Sequence, residues 1–193
     1  MKVLIFTEGT ILMYQNAKGL NRQERVKRSH EAGVQREENT LKYGTNITHE
    51  IPPGSVHDYA SYIPISNAVQ KITTWKNQGV VIMYLTSRRI KKEIEDIKDV
   101  LKKFNFPDQK NLYFRQQGEE YKDIVESLVP DIYIEDDCES IGGEEEMVYP
   151  YIDPKLKKKI KSIVVREFEG MDHLPDNLNT LKSYNMDSVS STE

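Results

Sequence analysis

The order of apolar segments is the feature that most constrains how this chain can fold. Short apolar runs typical of buried strands alternate with segments whose apolar residues recur at helical spacing. Such alternation predicts a mainly parallel sheet with helices on both faces, a three-layer α/β sandwich with Rossmann-like connections. We predict strands over 3–6, 80–85, 111–114, 132–134 and 163–165, and helices over 21–33, 64–79, 90–104, 121–128 and a short stretch near 176–184.

Composition limits the classes of protein to consider. A chain of 193 residues with 37% hydrophobic and 30% charged residues is expected to form a single domain over 1–193. The formal charge of −4 argues against a nucleic-acid partner. We expect no membrane partner because no apolar run approaches the roughly 18 residues of a spanning helix. The single cysteine, Cys138, and the absence of a leader-like start favour a cytoplasmic location.

In a parallel sheet, ligands bind at the carboxyl ends of the strands, so the residues that follow each strand are the candidates for a site. These residues are 7–10, 86–88, 135–137 and Glu167. All four segments carry hydroxyl, carboxylate or guanidinium groups. The sequence therefore predicts a polar site along one edge of the sheet.

The segment Glu135-Asp136-Asp137 places three carboxylates next to one another directly after an apolar strand. Carboxylates so close repel one another, and Mg²⁺, which prefers oxygen ligands, would offset that repulsion. A solvated acidic turn is the alternative interpretation. The position of the three acidic residues at the end of a predicted strand favours a metal site.

Thr86 and Ser87 follow the second strand, where a hydroxyl suits a phosphate oxygen, and Arg88 or Arg89 could add charge-assisted hydrogen bonds. The alternative is an ordinary helix cap. Lys122 lies near the start of a helix and could neutralise a phosphate, although a surface lysine is the simpler interpretation. Glu8 could be a metal ligand or an acid–base group, and Gly9 permits a tight turn; the alternative for both is a plain loop.

Taken in chain order, these segments resemble the haloacid-dehalogenase-like (HAD) superfamily. Its first motif, a strand followed by Asp-x-Asp-Gly-Thr, is matched by Phe6-Thr7-Glu8-Gly9-Thr10. Its second, third and fourth motifs are matched by Thr86, by Lys122 and by the pair Asp136 and Asp137. The resemblance covers residues 1–14 and 62–168, and residues 110–137 are similar to the deoxyribonucleotidase-like and phosphatase branches.

The resemblance implies a HAD sheet with a small cap-like insertion over 15–60, followed by a polar tail over 170–193. It implies a phosphorylated small molecule, or free phosphate, as the partner and Mg²⁺ as the cofactor. It also places Phe6 where the family has its nucleophilic aspartate. The resemblance and the strand-end residues together give the predicted site: Glu8 and Lys122 for catalysis, Thr86, Ser87, Arg88, Lys122 and Gly9 for phosphate, and Asp136, Asp137 and Glu8 for the metal.

Three functional hypotheses follow. We favour a protein that binds metal and phosphate with little or no phosphoaspartate-type catalysis, because a phenyl ring cannot attack phosphorus. The alternative is a Mg²⁺-dependent phosphohydrolase of small phosphomonoesters that uses a metal-bound water, with Glu8 or Glu135 as base. Thr7 is a weaker candidate nucleophile, since it faces the opposite side of its strand and would need its own base. A third hypothesis is an acid-rich surface module without metal.

Overall fold

The computed structural model describes residues 1–33 and 51–185. Within these ranges the main sheet has five strands, all parallel, in the order β5-β4-β1-β6-β7, and β2 pairs with β3 in a separate two-stranded sheet. The strands are β1 (Lys2–Phe6), β2 (Leu12–Met13), β3 (Ile63–Pro64), β4 (Val81–Leu85), β5 (Leu112–Tyr113), β6 (Ile132–Asp136) and β7 (Lys161–Val165).

Helices connect these strands and cover both faces of the main sheet. They are α1 (Arg22–Ala32), α2 (Ala68–Lys76), α3 (Lys91–Lys103), α4 (Tyr121–Leu128), α5 (Pro154–Lys157) and α6 (Leu178–Ser183). Short 3₁₀ turns cover Gln15–Ala17, Tyr59–Ser61, Gly143–Glu146 and Tyr149–Tyr151.

Two apolar clusters hold the layers together. The larger joins one face of the sheet, including Ile5 of β1, to α2 and α3, with Trp75 of α2 fully buried. The smaller joins the other face, including Leu4, to α4 and α5. Neighbouring residues of a strand point to opposite faces, which is why Leu4 and Ile5 belong to different clusters. The α/β class with a mainly parallel sheet, predicted from the sequence, is confirmed.

Local signals in the sequence explain where several helices begin. Asn21 accepts a hydrogen bond from the Glu24 backbone N–H at 2.9 Å, and the Glu24 carboxylate accepts one from the Asn21 backbone N–H. This reciprocal capping box satisfies two N–H groups that a helix start otherwise leaves without partners. Glu120 and Asp123 form the corresponding arrangement at the start of α4. The capped helix predicted over 21–33 is thereby confirmed.

The small sheet formed by β2 and β3 is not evident from the sequence. Leu12 pairs with Pro64 and Met13 with Ile63 in antiparallel register, so the segment between them begins and ends at the same place. The segment between them contains the proposed cap over 15–60, of which 34–50 lie outside the described residues. The cap and the single-domain organisation stay predictions.

The C-terminal segment packs against α2. The Trp75 indole N–H donates to the Pro175 carbonyl at 2.9 Å, and the Asp172 carboxylate accepts from the Asn67 backbone and side chain. The predicted short helix near 176–184 is confirmed as α6. Residues 186–193 of the predicted tail lie outside the described residues. Of the helices in the described ranges, none combines the length and apolar character needed to cross a membrane.

Candidate metal and anion site

Backbone hydrogen bonds that continue past the strands bring their carboxyl ends together at one edge of the sheet. The Thr7 N–H donates to Leu85 at 2.9 Å, which continues the pairing of β1 with β4. The Asp137 N–H donates to Val165 at 2.9 Å, which continues the pairing of β6 with β7. The polar residues after β1, β4, β6 and β7 therefore line the same edge, as expected for a parallel sheet.

Three acidic side chains meet at this edge. Carboxylate oxygens of Asp136, Asp137 and Glu167 lie within 4.8 Å of one another, the one such cluster of potential ligands within residues 1–33 and 51–185. Asp136 and Glu167 are buried, whereas Asp137 is partly exposed. An all-oxygen set of carboxylates is the donor type that Mg²⁺ and Ca²⁺ prefer.

Asp136 is fixed by short contacts on both of its carboxylate oxygens. Oδ2 accepts a hydrogen bond from the Thr10 hydroxyl at 2.8 Å, and Oδ1 accepts one from the Cys138 N–H at 3.0 Å. Burial, and then the neighbouring Glu167 carboxylate, raise the pKa of Asp136 well above its usual range despite these bonds. The site therefore favours a positive partner for Asp136.

Glu167, which follows β7, is held in place by Ser140. Its two oxygens accept hydrogen bonds from the Ser140 N–H at 2.6 Å and from the Ser140 hydroxyl at 2.7 Å. Its backbone N–H donates to Asp137 Oδ1 at 2.9 Å, which locks the ends of β6 and β7 together. Burial is the largest cause that raises the pKa of Glu167.

The turn after β1 comes unusually close to this cluster. Gly9 has φ +79°, and a Cβ atom at that position would lie 2.7 Å from Asp136 Oδ2. Only glycine permits both this backbone conformation and this approach. The proposed role of Gly9 in phosphate binding stays a prediction; what the geometry shows is that its missing side chain makes room for Asp136.

The chemistry of the cluster fits a divalent cation. Each carboxylate oxygen has two lone-pair sites, so an oxygen that accepts one hydrogen bond still has capacity for a metal. Burial, and then repulsion between the carboxylates, raises the pKa values of Asp136 and Glu167, and a cation would offset that repulsion. The sequence singled out Asp136, Asp137 and Glu8 for this role, and the structure groups the two aspartates with Glu167.

The Glu8 side chain turns toward the end of β4, and the roles of Glu8 as a metal ligand and as an acid–base group stay predictions. Its Oε1 accepts a hydrogen bond from the Thr86 hydroxyl at 2.5 Å and lies 3.4 Å from Arg88 Nε. Its Oε2 accepts from the Ser87 N–H at 3.1 Å. The structure thus brings together all three residues predicted to bind phosphate at this strand end, and their donors surround a carboxylate. We call Thr86, Ser87 and Arg88 the anion cradle.

The guanidinium of Arg88 is almost enclosed, with 11% of its side chain exposed. It lies 4.2 Å from the centre of the Tyr59 ring, in cation–π geometry, and also donates to the Tyr59 hydroxyl. Glu93 of α3 lies 3.9 Å from it. Tyr59 therefore links the segment that precedes β3 to the anion cradle.

Phe6 stands at the end of β1, beside the smaller apolar cluster. Its ring meets the Tyr121 ring edge-on, with centroids 5.6 Å apart and planes at 79°. The Tyr121 hydroxyl donates to the Ser87 carbonyl at 3.1 Å. The place that the resemblance assigns to a nucleophile is thus filled by a packed aromatic pair.

Two cations near this pair differ in burial. Lys122, predicted to bind phosphate and assist catalysis, has 36% of its side chain exposed and lies 3.0 Å from Glu120. This partner raises the pKa of the lysine. Arg115, which follows β5, is buried, and its guanidinium lies 3.9 Å from the Tyr121 ring centre. The role of Lys122 stays a prediction, and Arg115 is a neighbour that no sequence pattern singled out.

Glu135 and Thr7 were candidates for a base and a nucleophile, and both side chains form hydrogen bonds to other groups of the protein. The Glu135 carboxylate accepts from the backbone N–H groups of Val148 and Tyr149 at 2.8 and 2.9 Å, and from the Tyr133 hydroxyl at 3.2 Å. It thereby anchors the loop after β6. The Thr7 hydroxyl lies 2.6 Å from Glu8 Oε2 and 3.2 Å from the Leu85 carbonyl, and is fully buried.

Helix α1 covers the acidic cluster with a positive charge. Arg22 Nη2 lies 3.5 Å from Asp137 Oδ2 and also pairs with Glu139. Further along α1, the Ser29 and Ser140 hydroxyls are 3.1 Å apart, and His30 Nδ1 lies 3.0 Å from the Ser140 carbonyl. Arg22 lies on a helix and not after a strand, so the strand-end rule did not identify it.

Comparison with known proteins relates the fold to that of acid phosphatases. No protein-family model matches the chain, and no curated protein sequence is significantly similar to it. The structure of the class C acid phosphatase from Bacillus anthracis superposes with a TM-score of 0.50 at 10% identity, over 100% of this chain and 80% of that chain. A second structure of the B. anthracis enzyme, with tungstate bound, gives a TM-score of 0.49 at 11% identity, over 88% and 68%. Class C acid phosphatases have the HAD fold, and the likeness at 10% identity concerns the fold alone.

Proposed function

We propose that this protein belongs to the HAD superfamily and binds a divalent cation, Mg²⁺, together with a phosphorylated small molecule or free phosphate, with little or no turnover through a phosphoaspartate. The observation that carries the proposal is the position of Phe6 at the end of β1, between β4 and β6, whose carboxyl ends carry two polar groups of residues. The Phe6 ring packs edge-on against Tyr121 there. One group is the anion cradle, and the other is the cluster of Asp136, Asp137 and Glu167.

The protein's own residues account for binding without a nucleophile. The Thr86 hydroxyl, the Ser87 N–H and the Arg88 guanidinium are donors suited to phosphate oxygens. Asp136, Asp137 and Glu167 would hold the cation, which when bound supplies positive charge beside a phosphoryl group. Phe6 offers no atom that can form a bond to phosphorus, and the Thr7 hydroxyl is engaged by Glu8 and Leu85.

A phosphatase panel with Mg²⁺, run on the wild type beside Phe6→Asp and Phe6→Asn, tests the proposal. Asparagine removes the ring as aspartate does but supplies no nucleophile, so it controls for the lost packing. We expect the wild type and Phe6→Asn to release no phosphate from small phosphomonoesters above the buffer blank. Isothermal titration should show that the wild type binds inorganic phosphate in the presence of Mg²⁺.

The outcomes separate the hypotheses. If only Phe6→Asp releases phosphate, the wild-type site lacks nothing for catalysis except the nucleophilic carboxylate at position 6. Release by the wild type that is abolished in Asp136→Asn would replace our proposal with the metal-dependent phosphohydrolase. If the wild type neither turns over phosphomonoesters nor binds Mg²⁺ or phosphate, the proposal is wrong.

A further inference from the structure

The anion cradle already holds an anion that belongs to the protein. Both carboxylate oxygens of Glu8 are engaged, Oε1 by the Thr86 hydroxyl and Arg88 and Oε2 by the Ser87 N–H. The Thr7 hydroxyl adds a contact of 2.6 Å to Oε2. The Glu8 side chain is 13% exposed, so this arrangement is partly shielded from water.

These donors are the ones that an oxyanion ligand would need. A hydroxyl, a backbone N–H and a guanidinium recognise carboxylate and phosphate oxygens by the same charge-assisted hydrogen bonds. A hydroxyl or N–H that donates to Glu8 has no second hydrogen for a ligand. Glu8 and a phosphate therefore compete for Thr86 and Ser87, and a ligand binds there only when the Glu8 side chain has moved away.

We propose that Glu8 is a built-in occupant of the anion cradle, which lowers the affinity of the protein for phosphate and for phosphorylated ligands until its side chain is displaced. The inference rests on the proposed function, because it names the group that controls binding at that same site. If the cradle is open in a fraction f of molecules, the apparent dissociation constant is the intrinsic one divided by f. A cradle that is open about one tenth of the time thus binds phosphate about tenfold more weakly than an open one.

The length of the side chain at position 8 matters for this contact. An aspartate, which has one methylene fewer, would hold its carboxylate about 1.5 Å short of the cradle, roughly one carbon–carbon bond. Glu8→Asp therefore keeps the charge near the site but weakens its contacts with Thr86 and Ser87. This variant separates occupation of the cradle from simple repulsion between a phosphate and a nearby negative charge.

Isothermal titration with inorganic phosphate in the presence of Mg²⁺ tests the inference on the full chain. The variants are Glu8→Ala, Glu8→Gln and Glu8→Asp, with Glu95→Ala as the matched control because Glu95 is a half-exposed glutamate paired with Lys98 on α3. We expect Glu8→Ala to bind phosphate at least about tenfold more tightly than the wild type. Glu8→Gln and Glu8→Asp should lie between the two, and Glu95→Ala should match the wild type.

The Ser87 amide provides a second measurement, which needs no catalytic activity and can first be made without any ligand. In Glu8→Ala its proton resonance should move upfield because the carboxylate acceptor is lost, and phosphate should move it back downfield. In Glu8→Gln, which keeps the shape of the side chain, a smaller upfield change is expected. A Ser87 resonance that is the same in Glu8→Ala and in the wild type would overturn the inference even if Glu8→Ala proved unstable.

The two proposals fail in different ways. Equal phosphate affinity in the wild type and Glu8→Ala would overturn the role of Glu8 and leave the proposed function standing. Tighter binding in Glu8→Ala, with no turnover in the wild type, supports both. No phosphate binding in any folded variant would overturn both, because removal of Glu8 would then have opened no anion site.

Discussion

Gly9 and Asp136 approach so closely that a Cβ atom on the glycine would lie 2.7 Å from Asp136 Oδ2. The glycine also has φ +79°, a conformation that other residues adopt only under strain. The turn after β1 can therefore pack directly against Asp136 at the end of β6. The position of the acidic cluster relative to the turn depends on this absence of a side chain.

Gly9→Ala should consequently lower the free energy of unfolding more than an alanine substitution at a glycine that has a positive φ but no close neighbour. Gly79 is the matched control, with φ +86° and no atom within 4 Å of the place that a Cβ atom would occupy. We expect Gly79→Ala to lower the free energy of unfolding by about 1 kcal/mol and Gly9→Ala by about 2–4 kcal/mol, since the latter adds a clash to the strain. Urea unfolding followed by circular dichroism measures both, and equal losses would contradict the crowding at Asp136.

Glu167 should matter for cation affinity although the sequence pattern assigned it no role. Glu167→Gln keeps the size and one acceptor oxygen but removes the negative charge from the cluster. We expect it to weaken Mg²⁺ binding by about tenfold, or ~1.4 kcal/mol, in isothermal titration. Glu169→Gln, two residues away at an exposed position, is the control and should bind Mg²⁺ as the wild type does. Unchanged affinity in Glu167→Gln would remove Glu167 from the proposed metal site.

Arg22 should lower the affinity of the acidic cluster for Mg²⁺, in contrast to Glu167. Its guanidinium lies 3.5 Å from Asp137 Oδ2 and supplies positive charge where a divalent cation would also bind. Arg22→Met keeps much of the side-chain volume and should tighten Mg²⁺ binding by about two- to tenfold, because a repulsive charge is removed. Lys27→Met, at an exposed position of the same helix, should leave the affinity unchanged. Weaker binding in Arg22→Met would show that Arg22 orders the site rather than competes for it.

Glu135 should prove to be a structural anchor. Its buried carboxylate accepts three hydrogen bonds, two of them from the backbone of the loop at Val148 and Tyr149. Glu135→Ala leaves these donors without their partner and should lower the free energy of unfolding by about 2–4 kcal/mol. Glu144→Ala, on the exposed 3₁₀ turn of the same loop, should change it by less than about 0.5 kcal/mol. Comparable thermal stabilities for the two variants would contradict this role.

The main sheet was predictable because its strands carry a strong local signal. Apolar runs such as 3–6 and 132–134 are short and rich in β-branched and aromatic residues, which favours buried strands, and segments with helical spacing lie between such runs. The strand-end rule then predicts which polar segments share an edge. The pair formed by β2 and β3 was not predictable, since two-residue strands show no period and Met13 meets Ile63 only through tertiary contacts.

The sequence predicted which segments form the site, but it predicted fewer of the contacts between their side chains. Asp136 and Asp137 were identified from their position after a strand, and the structure places them together. Glu167 follows a strand as well, but nothing local shows that Ser140 turns its carboxylate toward the aspartates. The direction of the Glu8 side chain depends on Thr86 and Ser87, far away in the chain, so local sequence cannot reveal it.

The antiparallel pairing of Met13 with Ile63 holds together the two ends of the segment between them, which makes that segment a place where insertions can be tolerated. The two ends of the intervening segment are held one strand spacing apart, whatever lies between them. Because the entropy of closing a flexible loop grows only with the logarithm of its length, doubling the length of an exposed connection within that segment would cost about 0.6 kcal/mol. Grafting a longer module into such a connection should therefore leave the five-stranded sheet in register, whereas replacing the whole segment with a tight hairpin turn would remove Arg22 and Tyr59 from the strand ends.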